Sequence, residues 1–331
     1  MSALGSDPKL EVFLRHGGRL AAAKAAFPDA PAPWLDLSTG INPRPYPARR
    51  ADAAALRRLP NPEEVAELEA LAARAFGASP DRVAAVPGAE AALRLLPRLI
   101  GARSAAIVSP TYGGHAEAWR LAGAKVCEAT WPEATTTAAE AVVLVNPNNP
   151  DGREIALGEL PDRWLIIDES FVEVRPQLSL AARAGGRTIV LRSFGKFYGL
   201  PGVRLGFVIA EPGLAARVSA AFGDWPVSAE AIAAGKGAYG DLAWADRTRA
   251  RLEADAERLD GLLLEAGFEI VGGTSLFRLA SAPDAARRFV ALARRGVLAR
   301  PFSDQPTWLR FGLPKPKDWP RLAAALEGSR R

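Results

Sequence analysis

The chain has 331 residues, is 49% hydrophobic and carries a net charge of +5, enough to bury a large core and, by length, to form about two domains. A single Cys127 excludes an internal disulfide and fits a reducing cytoplasm, and two histidines, His16 and His115, argue against a multi-histidine metal site. The arginines lie in scattered pairs (57–58, 287–288, 294–295, 330–331) rather than in a nucleic-acid-binding arm, and no apolar run nears the roughly 20 residues that span a bilayer.

Residues 1–47 read as an N-terminal arm, helical over 8–27 and Pro-rich over 41–47, with no signal-peptide pattern over 2–14. Residues 48–222 alternate helical patterns with short apolar runs, which predicts a mostly parallel sheet flanked by helices. Helices are expected over 65–76, 90–100 and 117–121, and strands over 105–108, 125–129, 141–145, 163–167 and 188–192. His115, after a Gly-Gly turn, reads as structural, and no local Ser-His-Asp motif is present.

After Gly223-Asp224-Trp225-Pro226 the pattern changes. Residues 228–266 predict two helices, the second with Leu252, Leu259, Leu262 and Leu263 on its core face. Strands over 268–271, 275–279 and 309–312 and a helix over 284–295 complete a smaller α+β domain, 223–331, which the N-terminal arm joins.

Three apolar runs in the large domain end in polar groups: 141–145 in Asn146-Pro147-Asn148-Asn149, 163–167 in Asp168, and 188–192 in Ser193-Phe194-Gly195-Lys196. Open α/β sheets bind ligands at the C-terminal ends of their strands. An amide, a carboxylate and an amine, in that order, suit a pyridine aldehyde cofactor: they can bond the ring hydroxyl, keep the ring nitrogen protonated and form an imine. A lysine in a tight apolar turn sheds its proton readily and so can attack an aldehyde. Alone, this lysine segment would read as a surface turn. It is not a phosphate-binding P-loop, because Val190 and Phe197 replace the required Gly and Ser/Thr.

With Pro87-Gly88-Ala89-Glu90 and Ser109-Pro110-Thr111-Tyr112-Gly113-Gly114, these segments resemble the fold-type I pyridoxal-phosphate enzymes, in the branch that includes histidinol-phosphate aminotransferase. The resemblance covers nearly the whole chain. It implies an α/β fold with Lys196 as the Schiff-base lysine, Asp168 on the ring nitrogen, Asn149 on the ring hydroxyl and Tyr112 stacked on the ring. Gly88, Ala89, Ser193 and Arg204 would hold the cofactor phosphate, in keeping with the affinity of helix N-termini and arginine for anions.

The His16-Gly17-Gly18 arm, the segment 34–43 and Phe171, where histidinol-phosphate aminotransferases carry Tyr, resemble the L-threonine-O-3-phosphate decarboxylases, which make aminopropanol phosphate for cobalamin. That family's substrate ligands correspond to His16, Gly17, Asn42, Asn149, Arg300 and Arg310. Arg310 would hold the carboxylate, and Arg300, with His16 and the glycines, the phosphate. The family also implies a cytoplasmic homodimer with a small phospho-amino acid as its partner, and no nucleic acid or membrane. Leu59 and Gly195 replace two phosphate-binding residues of relatives, and Asp151 replaces a commoner Thr. Histidinol-phosphate aminotransferase, or a related class I/II aminotransferase, is the rival within enzymes. A catalytically silent fold is the rival outside them.

Overall fold

The computed structural model describes residues 8–330; residues 1–7, at the start of the expected arm, and Arg331 lie outside the described residues. The chain divides into two units. The larger comprises residues 45–149 and 153–247, and the smaller residues up to Arg44, Pro150–Gly152 and Thr248 onward.

The larger unit is built on a seven-stranded sheet. Its strands are β1 (Val83–Val86), β2 (Ser104–Val108), β3 (Lys125–Ala129), β4 (Ala141–Val145), β5 (Trp164–Asp168), β6 (Thr188–Ser193) and β7 (Gly206–Ile209), in the spatial order β1-β7-β6-β5-β4-β2-β3. β7 runs antiparallel to both its neighbours, and the other pairings are parallel. β4 is buried along its whole length, as an unbroken apolar run requires, whereas β3, at the edge, alternates with exposed polar residues.

On one face, helices Ala89–Ile100, Gly114–Leu121 and Pro212–Phe222 bury Leu93, Leu96, Trp119, Leu214 and Val218 against Ile107, Val143, Ile166 and Ile189. Each such aliphatic side chain contributes about 1.5–3 kcal/mol when fully buried. On the other face lies helix Pro62–Phe76. Asn61 and Glu64 form its capping box, and Gly77, at φ 69°, ends it in the left-handed region.

The expected boundary at 222 moves to 247 because helix Ala229–Gly240 packs on helix Pro62–Phe76. Gly235 lets Leu68 and Leu205 approach its backbone, and Tyr239 packs edge-on against Phe76 and Phe207. The arm likewise stops at Arg44 instead of 47, and the second break falls inside the single helix Leu242–Glu265.

The smaller unit holds a four-stranded antiparallel sheet of β8 (Glu269–Thr274), β9 (Phe277–Ser281), β10 (Arg300–Pro301) and β11 (Trp308–Gly312), in the order β10-β11-β9-β8. Leu252, Leu259 and Leu263 are fully buried, as the helical stripe predicts, while Leu262 is half-buried. The helix expected over 8–27 is two helices, Pro8–Arg15 and Leu20–Ala26. Gly18, at φ 75°, breaks it, and Gly17 lies so close to the Ser38 carbonyl that a side chain there would collide with it.

Candidate active site

At one end of the large sheet the parallel strands deliver their polar residues together. Asp168 is the last residue of β5, Ser193 the last of β6, and Lys196 lies three residues beyond. Asp168 is 5% exposed, and its Oδ2 lies 3.0 Å from His115 Nε2. Its Oδ1 accepts the Ser170 amide at 2.9 Å and the Ser170 hydroxyl at 2.5 Å. Burial pushes the Asp168 pKa up, but the hydrogen bonds from His115 and Ser170 outweigh it and hold the carboxyl below its usual range. Asp168 is therefore a carboxylate in a buried place.

His115, read from the sequence as structural, holds the Asp168 carboxylate. It sits in the first turn of helix Gly114–Leu121, 53 residues from Asp168, and no local pattern announces the pair. The Tyr112 ring stands edge-on to it at 6.1 Å, and the Tyr112 hydroxyl donates to Glu90 at 3.1 Å. Burial, then the Glu90 charge, raises the Tyr112 pKa, so the ring stays neutral. Gly114 is required here because a side chain would overlap the Tyr112 ring.

The three asparagines after β4 divide their work. Asn146 exchanges two hydrogen bonds with the Ile155 backbone, and Asn148 bonds the Pro110 carbonyl at 2.8 Å and Thr111 at 2.7 Å. Both are buried and hold the turn, whereas Asn149 is half-buried.

Gly88 caps helix Ala89–Ile100 with φ 93°, and a Cβ on it would stand 2.8 Å from Arg204 Nη2. Arg204 is the one non-glycine with positive φ among the described residues, at 57°, and its Nη1 donates to the Pro201 carbonyl at 3.1 Å. Such a conformation costs about 1–2 kcal/mol. A Cβ on Gly206 would fall 2.5 Å from the Ala89 nitrogen, so glycine lets β7 pass against the helix start. The result is a helix N-terminus faced by a guanidinium, an anion cradle. Gly195, where relatives carry Ser or Thr, has no room for one: its Cβ would lie 2.7 Å from Pro201 Cα. Leu59, the other departure, is exposed.

Pyridoxal phosphate fits this set: an amine at Lys196, a buried carboxylate at Asp168, an aromatic face at Tyr112 and an anion cradle at Gly88, Ala89 and Arg204. Lys196 Nζ lies 5.7 Å from the centroid of the Phe171 ring, itself buried.

The smaller unit gathers a second set. Arg300 and Arg310 are direct register partners across β10 and β11. Arg310 is 6% exposed, donates to the Ser38 carbonyl at 3.0 Å and lies 5.0 Å over the Phe277 ring. Burial and then the Arg300 charge bring its pKa down to about 9. Arg300 donates to the Arg15 carbonyl at 3.0 Å. Ser38, to which the sequence reading gave no role, ties this set together, because its hydroxyl also accepts the Gly18 amide at 2.7 Å. His16 and Gly17 lie in the same turn. Asn42 is buried, and its Oδ1 accepts the Arg44 amide at 3.0 Å and Arg251 Nη2 at 3.2 Å.

The family model for aminotransferase class I and II matches residues 32–326. The chain belongs to that family. Within reach of it are threonine-phosphate decarboxylases from Pseudomonas aeruginosa, 40% identical over 96% of this chain and 98% of that protein, and from a Sinorhizobium species, 40% identical over 94% and 97%. The fold of the family is also that of a solved structure, histidinol-phosphate aminotransferase from Sinorhizobium meliloti in complex with pyridoxal-5'-phosphate. That structure is 20% identical, with a TM-score of 0.80 over 94% of each chain.

Proposed function

We propose that the protein is a pyridoxal-phosphate enzyme that decarboxylates O-phospho-L-threonine to (R)-1-amino-2-propanol phosphate, a cobalamin precursor. The observation that carries the reading is the paired Arg300 and Arg310, two guanidinium groups for a substrate with two anions, in a chain 40% identical to threonine-phosphate decarboxylases.

Bound pyridoxal phosphate supplies a protonated ring that accepts the electron pair left when a bond at the substrate α-carbon breaks. Asp168, kept anionic by His115 and Ser170, holds the proton on the ring nitrogen. Asn149 addresses the ring hydroxyl and Tyr112 covers a ring face. Gly88, Ala89, Ser193 and Arg204 grip the cofactor phosphate. Lys196 Nζ would hold the cofactor aldehyde and is the group placed to deliver a proton to the substrate α-carbon. Arg310 holds the carboxylate at the angle from which it departs. Arg300, His16, Gly17 and Asn42 hold the substrate phosphate.

The enzyme is read as a cytoplasmic homodimer. In the larger unit a groove of about 560 Å³ beside Arg204 is lined by Leu56 and Trp225, both more than half exposed, a face that a second copy would cover. No helix among the described residues is long and apolar enough to cross a membrane. Incubating the protein with pyridoxal phosphate and O-phosphothreonine, and assaying CO₂ and aminopropanol phosphate, tests the reading.

A further inference from the structure

Behind Asp168 and Ser193, on the opposite face of the same two strands, lies a buried charge cluster. Side chains alternate along a strand, so Glu169, after Asp168, and Arg192, before Ser193, point away from the site. The last register pair of β5 and β6 is Asp168 with Leu191, and the Glu169 amide donates to the Leu191 carbonyl at 2.9 Å. Just beyond, Arg192 Nη1 donates to Glu169 Oε2 at 3.2 Å, and its Nη2 donates to Glu173 Oε1. Arg192 is 2% exposed, Glu169 1% and Glu173 5%.

The surroundings hold the cluster in one arrangement. Ser179 Oγ donates to Glu169 Oε2 at 2.7 Å and accepts from Arg192 Nη1 at 3.1 Å. Glu169 Oε1 accepts the Leu180 amide at 2.6 Å, and the guanidinium stands 4.3 Å from the Phe76 ring centroid. A buried ion pair is a weak source of stability, because desolvation cancels most of the attraction and an apolar replacement is often as stable. What this one supplies is geometry, at the point where the ladder between the strands of Asp168 and Lys196 ends.

We infer that Arg192 is a positioning residue: by holding Glu169 and Glu173 from the back of the sheet, it fixes the ends of β5 and β6 against each other and so sets the Asp168 carboxylate relative to the Lys196 amine. The inference rests on the cofactor reading above, in which these two groups address one pyridine ring. A misplacement of about 1 Å in such a site can cost roughly a hundredfold in rate.

The test uses Arg192→Met, Arg192→Lys and Glu169→Gln as purified, cofactor-loaded enzymes. Visible circular dichroism of the bound cofactor reports the seating of the ring, and steady-state kinetics separate kcat from KM. Expected are an altered dichroic band and a kcat lowered about 10- to 100-fold with KM within about threefold, partly recovered in Arg192→Lys. If Arg192→Met yields no soluble protein, Glu169→Gln, which keeps the side-chain shape, carries the comparison. Variants that melt lower but keep the wild-type band and kcat overturn the inference, since the cluster is then structural only. A wild-type protein with no cofactor band also overturns it, through the cofactor reading rather than through Arg192.

Discussion

Arg300 and Arg310 face each other as register partners on adjacent antiparallel strands, where like charges are ordinarily destabilising. Burial compounds the cost at Arg310, and both influences lower its pKa, to about 9. Under the proposed function, the pair would meet the two anionic groups of the substrate. O-phospho-L-threonine offers one carboxylate and one phosphate.

Removing either arginine should therefore act on the substrate and leave the cofactor alone. Arg310→Ala keeps the bound-cofactor spectrum but raises KM for O-phosphothreonine at least tenfold, since a charge-assisted hydrogen bond contributes about 1.5–3 kcal/mol. Arg300→Ala instead lowers the preference for phosphorylated over unphosphorylated threonine. Values of kcat/KM for both substrates in both variants check this, and wild-type values would remove both arginines from the substrate site.

His115→Phe removes the partner of Asp168 Oδ2. Burial then dominates and the Asp168 pKa rises. The acid limb of the kcat profile should move to higher pH and kcat should fall. The sign for stability follows from the depressed pKa of Asp168 in the folded wild type. Its contribution is full above the unfolded carboxylate value of about 3.9 and is lost as pH falls through the lower folded value. In His115→Phe, where burial leaves the folded value above the unfolded one, the sign reverses and stability is lost as pH rises from about 4, which melting curves from pH 3 to 7 would record.

Gly88→Ala places a Cβ 2.8 Å from Arg204 Nη2 at a φ of 93°. The guanidinium can swing aside, but it then leaves the anion cradle, and the backbone bears about 1–2 kcal/mol of strain. Affinity for pyridoxal phosphate should fall by about tenfold or more, with the substrate KM of the loaded enzyme little changed. Titration of the cofactor into the stripped protein measures it.

Lys196→Ala should fold, melt near the wild type and lose both turnover and the visible absorbance of lysine-bound cofactor. Any steady-state turnover by this variant would remove Lys196 from its assigned role.

What could be read before the structure follows from how local each signal is. β4, β5 and β6 are short apolar runs with polar ends, so strands and candidate ligands came together. β1, whose core is Val-Ala-Ala-Val among other alanines, and β7, which begins at a glycine, have no such contrast and escaped notice. Spacing cannot express a pairing such as His115 with Asp168, or the register that sets Arg300 opposite Arg310. The break between the units fell inside one continuous helix, Leu242–Glu265, where composition does not change. Gly195 was legible only as a departure, and the structure supplies its reason in the nearness of Pro201.

The most direct measurement gives the protein pyridoxal phosphate with O-phospho-L-threonine in one reaction, and with histidinol phosphate and 2-oxoglutarate in another. Stoichiometric CO₂ and aminopropanol phosphate in the first, with little glutamate in the second, is the result expected of a chain with paired Arg300 and Arg310 and Phe171 beside Lys196. Efficient glutamate formation from histidinol phosphate, with no CO₂ from phosphothreonine, would contradict the account and make the protein an aminotransferase.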